Sequence, residues 1–287
     1  MALDVQKLLN WPFEELTHEY SARDTILYAL GLGLGSDPMD EEQLRFVYER
    51  DLRALPTMAV VLAYPGFWLR EPGTGVNWKK ILHGEQGIVW HAAIPPAATV
   101  AGRTRVTEII DKGAEKGSLL FSERVVRDAK TGEKLVTLSG TTVLRGDGGF
   151  GGPAKQAPKP HAIPQRAPDA VCDLPTALNA ALIYRLSGDY NPLHADPEVA
   201  RSAGFPRPIL HGLCSLGVAG HALLKTVAAY DPARFKSMRL RFTAPVFPGE
   251  TIRTEMWIDG PRVSFRARVV EREAVVLDNG LAEITRD

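Results

Sequence analysis

The chain runs through the same succession twice: a helical segment first, then four strand-like runs. In the first pass, Ser21-Ala-Arg-Asp24 has the spacing of a capping box, and Ile26, Leu27 and Leu30 fall on one helical face. Glycines 31, 33 and 35 end that helix. Strand-like runs follow at 86–94, 103–110, 119–127 and 134–144, punctuated by Asp111-Lys-Gly113 and Asp128-Ala-Lys-Thr-Gly132. In the second pass, 175–186 reads as a helix, a polar loop follows, and an apolar helix runs from about Gly212 to Tyr230. Strand-like runs come next at 237–243, 251–258, 263–271 and 275–285. Individual residues echo as well. Tyr28-Ala-Leu-Gly-Leu-Gly33 lines up with Tyr184-Arg-Leu-Ser-Gly-Asp189 at an offset of 156. His83-Gly84 echoes His211-Gly212, and Pro96-Ala-Ala-Thr-Val100 echoes Pro248-Gly-Glu-Thr-Ile252 at other offsets, so one copy has taken insertions. The shared order argues for a duplicated unit, with a period far too long for a solenoid.

Between the passes lies GDGGFGGPAKQAPKPHAIPQRAP, residues 146–168, with no hydrophobic periodicity. Such a segment cannot order itself around a core of its own. It reads as a linker between halves at 1–145 and 169–287. Each half is expected to be an α+β unit, a helix wrapped by an antiparallel sheet, with the sheets side by side and a cleft between them. Charge narrows the function classes. With 34 basic and 34 acidic residues the net charge is zero, which excludes a chain-wide basic field for nucleic acid. Two cysteines, Cys172 and Cys214, are too few for a disulfide framework and suit a reducing compartment. The most apolar run, Met58 to Tyr64, meets Pro65-Gly66 far short of the ~20 residues of a membrane span. The N-terminal stretch lacks the basic start and apolar run of a signal peptide, and the C-terminal EITRD is no SKL-type peroxisomal address. The expected location is the cytoplasm.

The densest polar cluster is Tyr184-Arg-Leu-Ser-Gly-Asp-Tyr-Asn-Pro-Leu-His194, a loop marked by Gly188 and Pro192. Asp189 and His194 could divide proton transfers between them, and Asn191 could orient water or a carbonyl. Spacing alone favours Asx-turns at Asp189 and Asn191 with a locally bonded His194. Further on, His211-Gly212 opens the apolar helix. The N–H groups at a helix start are unpaired, and Gly212 lets a substrate oxygen approach the backbone, which fits an oxyanion site; a helix start packed for its own sake fits too. Other signals carry less. Gly31-Leu-Gly-Leu-Gly35 follows a helix and lacks nucleotide-loop spacing. His194-Ala-Asp196 could suggest a metal, but the seven histidines show no metal-ligand spacing. There is no G-x-S-x-G, and Cys214 sits in an apolar helix where packing is the ordinary role.

The 184–194 run, with Ala200 after it, resembles the signature of the (R)-specific 2-enoyl-CoA hydratases, the hydratase 2 or MaoC-like proteins of hot-dog fold. The segment 204–217 and the run Arg241-Phe-Thr-Ala-Pro-Val-Phe-Pro-Gly-Glu-Thr-Ile-Arg-Thr-Glu-Met-Trp257 are similar to later parts of that family. In the first half, Arg23 to Gly31, Phe46-Val-Tyr-Glu49, Leu55-Pro-Thr57, Leu82-His-Gly-Glu-Gln86, Val106-Thr107 and Asp111-Lys-Gly113 resemble its two-hot-dog branch. The resemblance implies a double hot-dog fold and hydration of trans-2-enoyl-CoA to (3R)-3-hydroxyacyl-CoA. It implies Asp189 and His194 as the catalytic pair, Asn191 as their support, and Gly212 N–H on the thioester oxygen. His83, Gly84, Lys112, Tyr190, Pro192, Leu193 and Phe242 would contact substrate. The first half would keep the scaffold without the chemistry, since Gly33 stands opposite Asp189 and Pro38 opposite His194, and would widen the cleft for bulky acyl chains. No metal or redox cofactor is implied; coenzyme A comes with the substrate. A homodimer is expected. The competing expectations are a hydratase or dehydratase for a specialised bulky acyl-CoA such as a sterol side chain or polyketide, a hot-dog thioesterase, and a non-catalytic acyl-CoA-binding subunit.

Overall fold

The computed structural model describes residues 3–151 and 156–285, so positions 152–155 of the linker lie outside the described residues. The first half contains α1 (Val5–Leu9), β1 (Leu16–Tyr20), α2 (Ala22–Gly31), α3 (Glu41–Val47), β2 (Ile81–Trp90), β3 (Ala98–Asp111), β4 (Ser118–Asp128) and β5 (Lys134–Leu144). The second contains β6 (Ala170–Pro175), α4 (Ala180–Tyr184), α5 (Pro197–Ser202), α6 (Gly212–Thr226), β7 (Phe235–Phe242), β8 (Thr251–Asp259), β9 (Arg262–Val269) and β10 (Ala274–Ile284). Local chemistry sets the boundaries. α2 starts where the Ser21 N–H donates to Asp24 Oδ2 at 2.8 Å, closing the capping box. β3 buries Val100, Gly102, Thr104 and Val106 while their neighbours face outward, the period-two pattern of a half-buried strand.

The strands form one antiparallel sheet among the described residues, in the order β1-β3-β4-β5-β2-β7-β10-β9-β8-β6. Read from either edge to the middle, each half repeats the same topology. The β2–β7 seam joins them, with Glu85 opposite Arg241 and Val89 opposite Ser237. Glu85 and Arg241 are 156 apart, as are Tyr28 and Tyr184, whose rings lie 5.7 Å apart between α2 and α4. Both pairs map onto themselves when the halves are exchanged, so a pseudo-two-fold axis passes through them. This is the double hot-dog fold.

The sheet of the second half wraps α6, fifteen residues buried almost all round. Its counterpart in the first half, 156 positions earlier, is only a six-residue 3-10 turn, Pro56–Val61. Pro56 can open a helix, but β-branched Thr57, Val60 and Val61 do not favour its propagation. Ala63 then turns left-handed at φ 46°. The Arg124 guanidinium closes the turn by donating to the Val60 carbonyl at 2.7 Å. One hydrophobic core spans both halves, from Tyr28, Phe46 and Leu62 to Tyr184, Leu223 and Phe265.

Two strands, β1 and β6, were not expected from the sequence. Pro175 closes β6, so the helix expected at 175–186 is α4 with a 3-10 turn at Arg185–Ser187. The long helix ends at Thr226 because Ala229 and Tyr230 take positive φ. The linker borrows order from the second half. His161 Nε2 lies 2.8 Å from Ser264 Oγ, the Asn279 amide donates to the His161 carbonyl, and the Trp257 indole N–H donates to the Arg166 carbonyl.

Candidate active site

Asp189 follows Gly188, which turns the chain at φ 118°. The Asp189 carboxylate accepts from the Asn191 N–H at 3.2 Å, and the Asn191 side chain accepts from the Leu193 N–H at 3.1 Å. The Asx-turns expected from spacing are thus present, and they are the means of display. Asn191 caps the single 3-10 turn Pro192–His194, which swings His194 inward. His194 Nδ1 lies 2.9 Å from the Ile209 carbonyl. A carbonyl only accepts, so Nδ1 carries the proton and Nε2 keeps a free lone pair.

His211, the residue before α6, stacks on His194 with centroids 3.7 Å apart and planes 29° apart. Its Nε2 lies 3.2 Å from the Asp189 carbonyl and donates to it. A carboxylate oxygen of Asp189 and one nitrogen from each imidazole all lie within 4.8 Å of one another. Burial pushes the His194 pKa down, against the opposing pull of the Ile209 carbonyl and the Asp189 carboxylate. Burial first, and the His194 ring second, push His211 down to about 4. Both rings are therefore neutral at pH 7, and His194 Nε2 is available as a base.

The three donors invite a metal reading, but the stacking argues against it. A metal lies in the plane of each ligating imidazole, and two rings stacked 3.7 Å apart at 29° cannot aim in-plane lone pairs at one nearby point. Asp196 is occupied elsewhere: its carboxylate accepts from Glu198 N–H at 2.8 Å as the cap of α5. Cys214 is buried beside the Gly31 carbonyl, and burial pushes its thiol up, leaving it unreactive.

Gly212 is the first residue of α6, so its N–H has no partner within the helix. It opens, with His194, on a cavity of about 690 Å³ between the halves. His83, Gly84, Lys112 and Phe242 line the same cavity. The His83 and Phe242 rings are 4.7 Å apart, and Gly84 sits in a bulge of the β2–β5 ladder. The protein around the His83 imidazole, which meets solvent along the cavity, pushes its pKa down to about 4.

Asp189 and Asn191 do not line this cavity but stand beside His194, which does, and Tyr190, Pro192 and Leu193 do not line it either. The same turn that carries His194 inward leaves them outside; Tyr190 is 59% exposed, with the Arg185 guanidinium 5.0 Å from its ring. Sequence reasoning overlooked the cavity-wall pair Glu85 and Arg241, in which Arg241 Nε donates to Glu85 Oε1 at 3.0 Å. Their separation equals the repeat offset, which could have pointed to it.

In the first half, the corresponding positions hold Gly33 for Asp189, Gly35 for Asn191, Pro38 for His194, Leu55 for His211 and Pro56 for Gly212. Carboxylate, imidazoles and free N–H are all missing there.

Comparison with known proteins agrees with this architecture. Residues 159–279 match the MaoC like domain, and residues 18–146 match the MFE-2 hydratase 2 N-terminal domain. The chain is 41% identical to the peroxisomal enoyl-CoA hydratase 2 of Arabidopsis thaliana, over 94% of this chain and 92% of that one. It is 42% identical to the 3-hydroxyacyl-thioester dehydratase Y of Mycobacterium tuberculosis, over 94% of each. The crystal structure of a MaoC-like dehydratase from Phytophthora capsici superposes with a TM-score of 0.87 at 38% identity, covering 99% of both chains. Sequence, topology and site together place the chain in the hydratase 2 family of MaoC-like, double hot-dog proteins.

Proposed function

We propose that the protein is an (R)-specific 2-enoyl-CoA hydratase in which Asp189 and His194 move the protons. The observation that carries this reading is that a neutral His194 and the Gly212 N–H at the start of α6 open on one large cavity, with the Asp189 carboxylate within 4.8 Å of a His194 ring nitrogen. Water is a poor nucleophile, so its proton must leave as its oxygen attacks C3 of the enoyl thioester. Charge then gathers on the thioester oxygen until the α-carbon gains a proton. A water held between the Asp189 carboxylate and His194 Nε2 can lose its proton to the pair, and the pair can return one to the α-carbon on the same face. A single backbone donor at the oxyanion contributes about 3 kcal/mol in such sites. Asn191 keeps the loop in shape. Lys112 offers a cation, and His83 and Phe242 offer ring surface, to the coenzyme A portion. The reaction needs no metal or redox cofactor. The test is turnover of trans-2-enoyl-CoAs of several chain lengths, with product configuration read by an (R)-specific dehydrogenase. An (R) product supports the reading, and an (S) product or free acid contradicts it.

A specialised bulky acyl-CoA is a second reading of the substrate. It is favoured by the six-residue turn that stands in the first half where the second has a fifteen-residue helix. Preference for branched or ring-bearing enoyl-CoAs over straight chains would establish it.

We also keep a cytoplasmic homodimer within the proposal. Among the described residues, no helix is long and apolar enough to cross a membrane. Leu178, Leu182, Leu186 and Tyr190 are exposed apolar side chains on and around α4. A second copy would cover these side chains. A Leu182→Glu, Leu186→Glu variant should then run as a monomer in sedimentation; an unchanged mass contradicts this interface.

A further inference from the structure

We propose that His211 is a positioning residue of the reaction, holding the Asp189 loop and backing His194 without touching substrate. The inference rests on the hydratase reading above and goes beyond it, because His211 has no role in that reading.

Three observations carry it. His211 Nε2 donates to the main-chain carbonyl of Asp189, so it fixes the backbone from which the carboxylate projects. Its ring lies flat against His194 at 3.7 Å, so it limits how far that imidazole can tilt from its bond to Ile209. Its Nδ1 is buried and has no hydrogen-bond partner, although the residue is only 1% exposed. An unpartnered buried nitrogen is unfavourable, and a site shaped by packing alone would hold an apolar side chain.

The first half supplies that comparison within the same molecule. Leu55 occupies the position 156 residues earlier and is equally buried. Both residues cap the helical segment that follows with nearly the same backbone, φ −66° and ψ 136° for Leu55 and φ −59° and ψ 134° for His211. The fold accepts leucine at this point where no chemistry is present. The half with Asp189 and His194 instead keeps an imidazole and tolerates its orphaned nitrogen. On this view Tyr184, whose ring is 5.0 Å from His211, is the next layer of support and connects the site to the pseudo-two-fold axis.

The experiment compares His211→Leu, His211→Phe and His211→Gln with the wild type in the enoyl-CoA hydration assay, with thermal unfolding measured alongside. Turnover by the wild type is the first requirement; without it the hydratase reading falls, whatever the variants do. His211→Leu copies the first half and should fold, while kcat drops roughly 100-fold, the scale of a small misplacement of reacting groups, with KM changed less than threefold. His211→Phe keeps a flat ring without the donor and should lose a similar factor. His211→Gln can still donate to the Asp189 carbonyl and should recover part of the loss. In an Asp189→Asn background, His211→Leu should cost less than it does in the wild type, because part of its action passes through the group already removed. A folded His211→Leu or His211→Phe with wild-type kcat overturns the proposal. So do a rise in KM alone, no recovery with glutamine, and a loss that adds fully to that of Asp189→Asn. Should the leucine variant fail to fold, the fold does need histidine there; the Leu55 argument then fails, and the phenylalanine and glutamine variants decide the rest.

Discussion

Replacing Gly212 by proline removes one hydrogen from the site and tests the oxyanion role of the helix start. Proline already occupies the equivalent first helical position of the other half, Pro56. Its ring suits that position, where the missing N–H is not needed by the helix. The residue before a proline must be extended, and His211 is, at φ −59° and ψ 134°. The steric cost is modest: a Cβ at Gly212 would meet the Phe242 ring edge at 3.3 Å, a contact relieved by a few tenths of an ångström of ring movement. The chemical cost is larger. Loss of one oxyanion donor is worth about 2.7–4 kcal/mol, or a 10²–10³-fold fall in kcat. Gly212→Ala is the control, because it adds the same Cβ against Phe242 and keeps the N–H. Steady-state hydration kinetics and thermal unfolding on both variants separate the two effects. The expectation is a folded Gly212→Pro enzyme with kcat down at least ~100-fold, and a Gly212→Ala enzyme within several-fold of wild type. Equal losses in the two variants, or a folded proline variant with normal kcat, would refute the reasoning.

Further expectations follow from the same structure. His194 titrates below its ordinary value, so the acid limb of kcat/KM should fall below pH 6.5, where a free imidazole titrates; a limb at or above 6.5 would remove His194 as the free base. His211 and His221 are buried and held down to about 4, so the unfolded chain takes up protons first as the pH drops. Stability should therefore fall between pH 6.5 and 4, by about 2 kcal/mol per imidazole from pH 7 to 5, as read by urea unfolding; a flat profile would contradict the burial of neutral rings. Gly220 lets α6 approach the 3-10 turn, since a Cβ there would lie 2.4 Å from Thr57 Cγ2. Gly220→Val should overpack this contact, cost about 1–3 kcal/mol and lower Tm by roughly 2–10 °C, with no such loss if the two halves can separate locally.

Much of this was legible in the chain. Strand-like runs between turn signals marked eight of the strands. β1 and β6 escaped because they are short and mostly half-exposed, so their pattern carries little contrast. The capping box fixed the start of α2 from three residues of context. The shortness of the Pro56–Val61 turn was not foreseen, although its β-branched residues and the following Pro65-Gly66 are visible in the sequence; an apolar run alone does not say where helix gives way to turn. Asp189, Asn191 and His194 stood out as a contiguous motif, and His83, Gly84, Lys112 and Phe242, which line the cavity, through the family resemblance. Contiguity does not say which of these side chains reach the cavity, because a 3-10 turn sends neighbours in different directions: His194 lines it, and Tyr190, Pro192 and Leu193 do not. His211 was seen only as part of a helix start. Its contact with Asp189 spans 22 residues and depends on how α6 packs against the loop, which no local pattern encodes.

The most direct test of the central claim is single-turnover hydration of a trans-2-enoyl-CoA by Asp189→Asn and His194→Gln beside the wild type, with substrate binding measured separately. The account expects both variants to bind the thioester nearly as wild type does and to lose at least ~10²-fold in the chemical step, the scale of general acid–base catalysis. Wild-type turnover that survives in either folded variant would show that the proton transfers lie elsewhere.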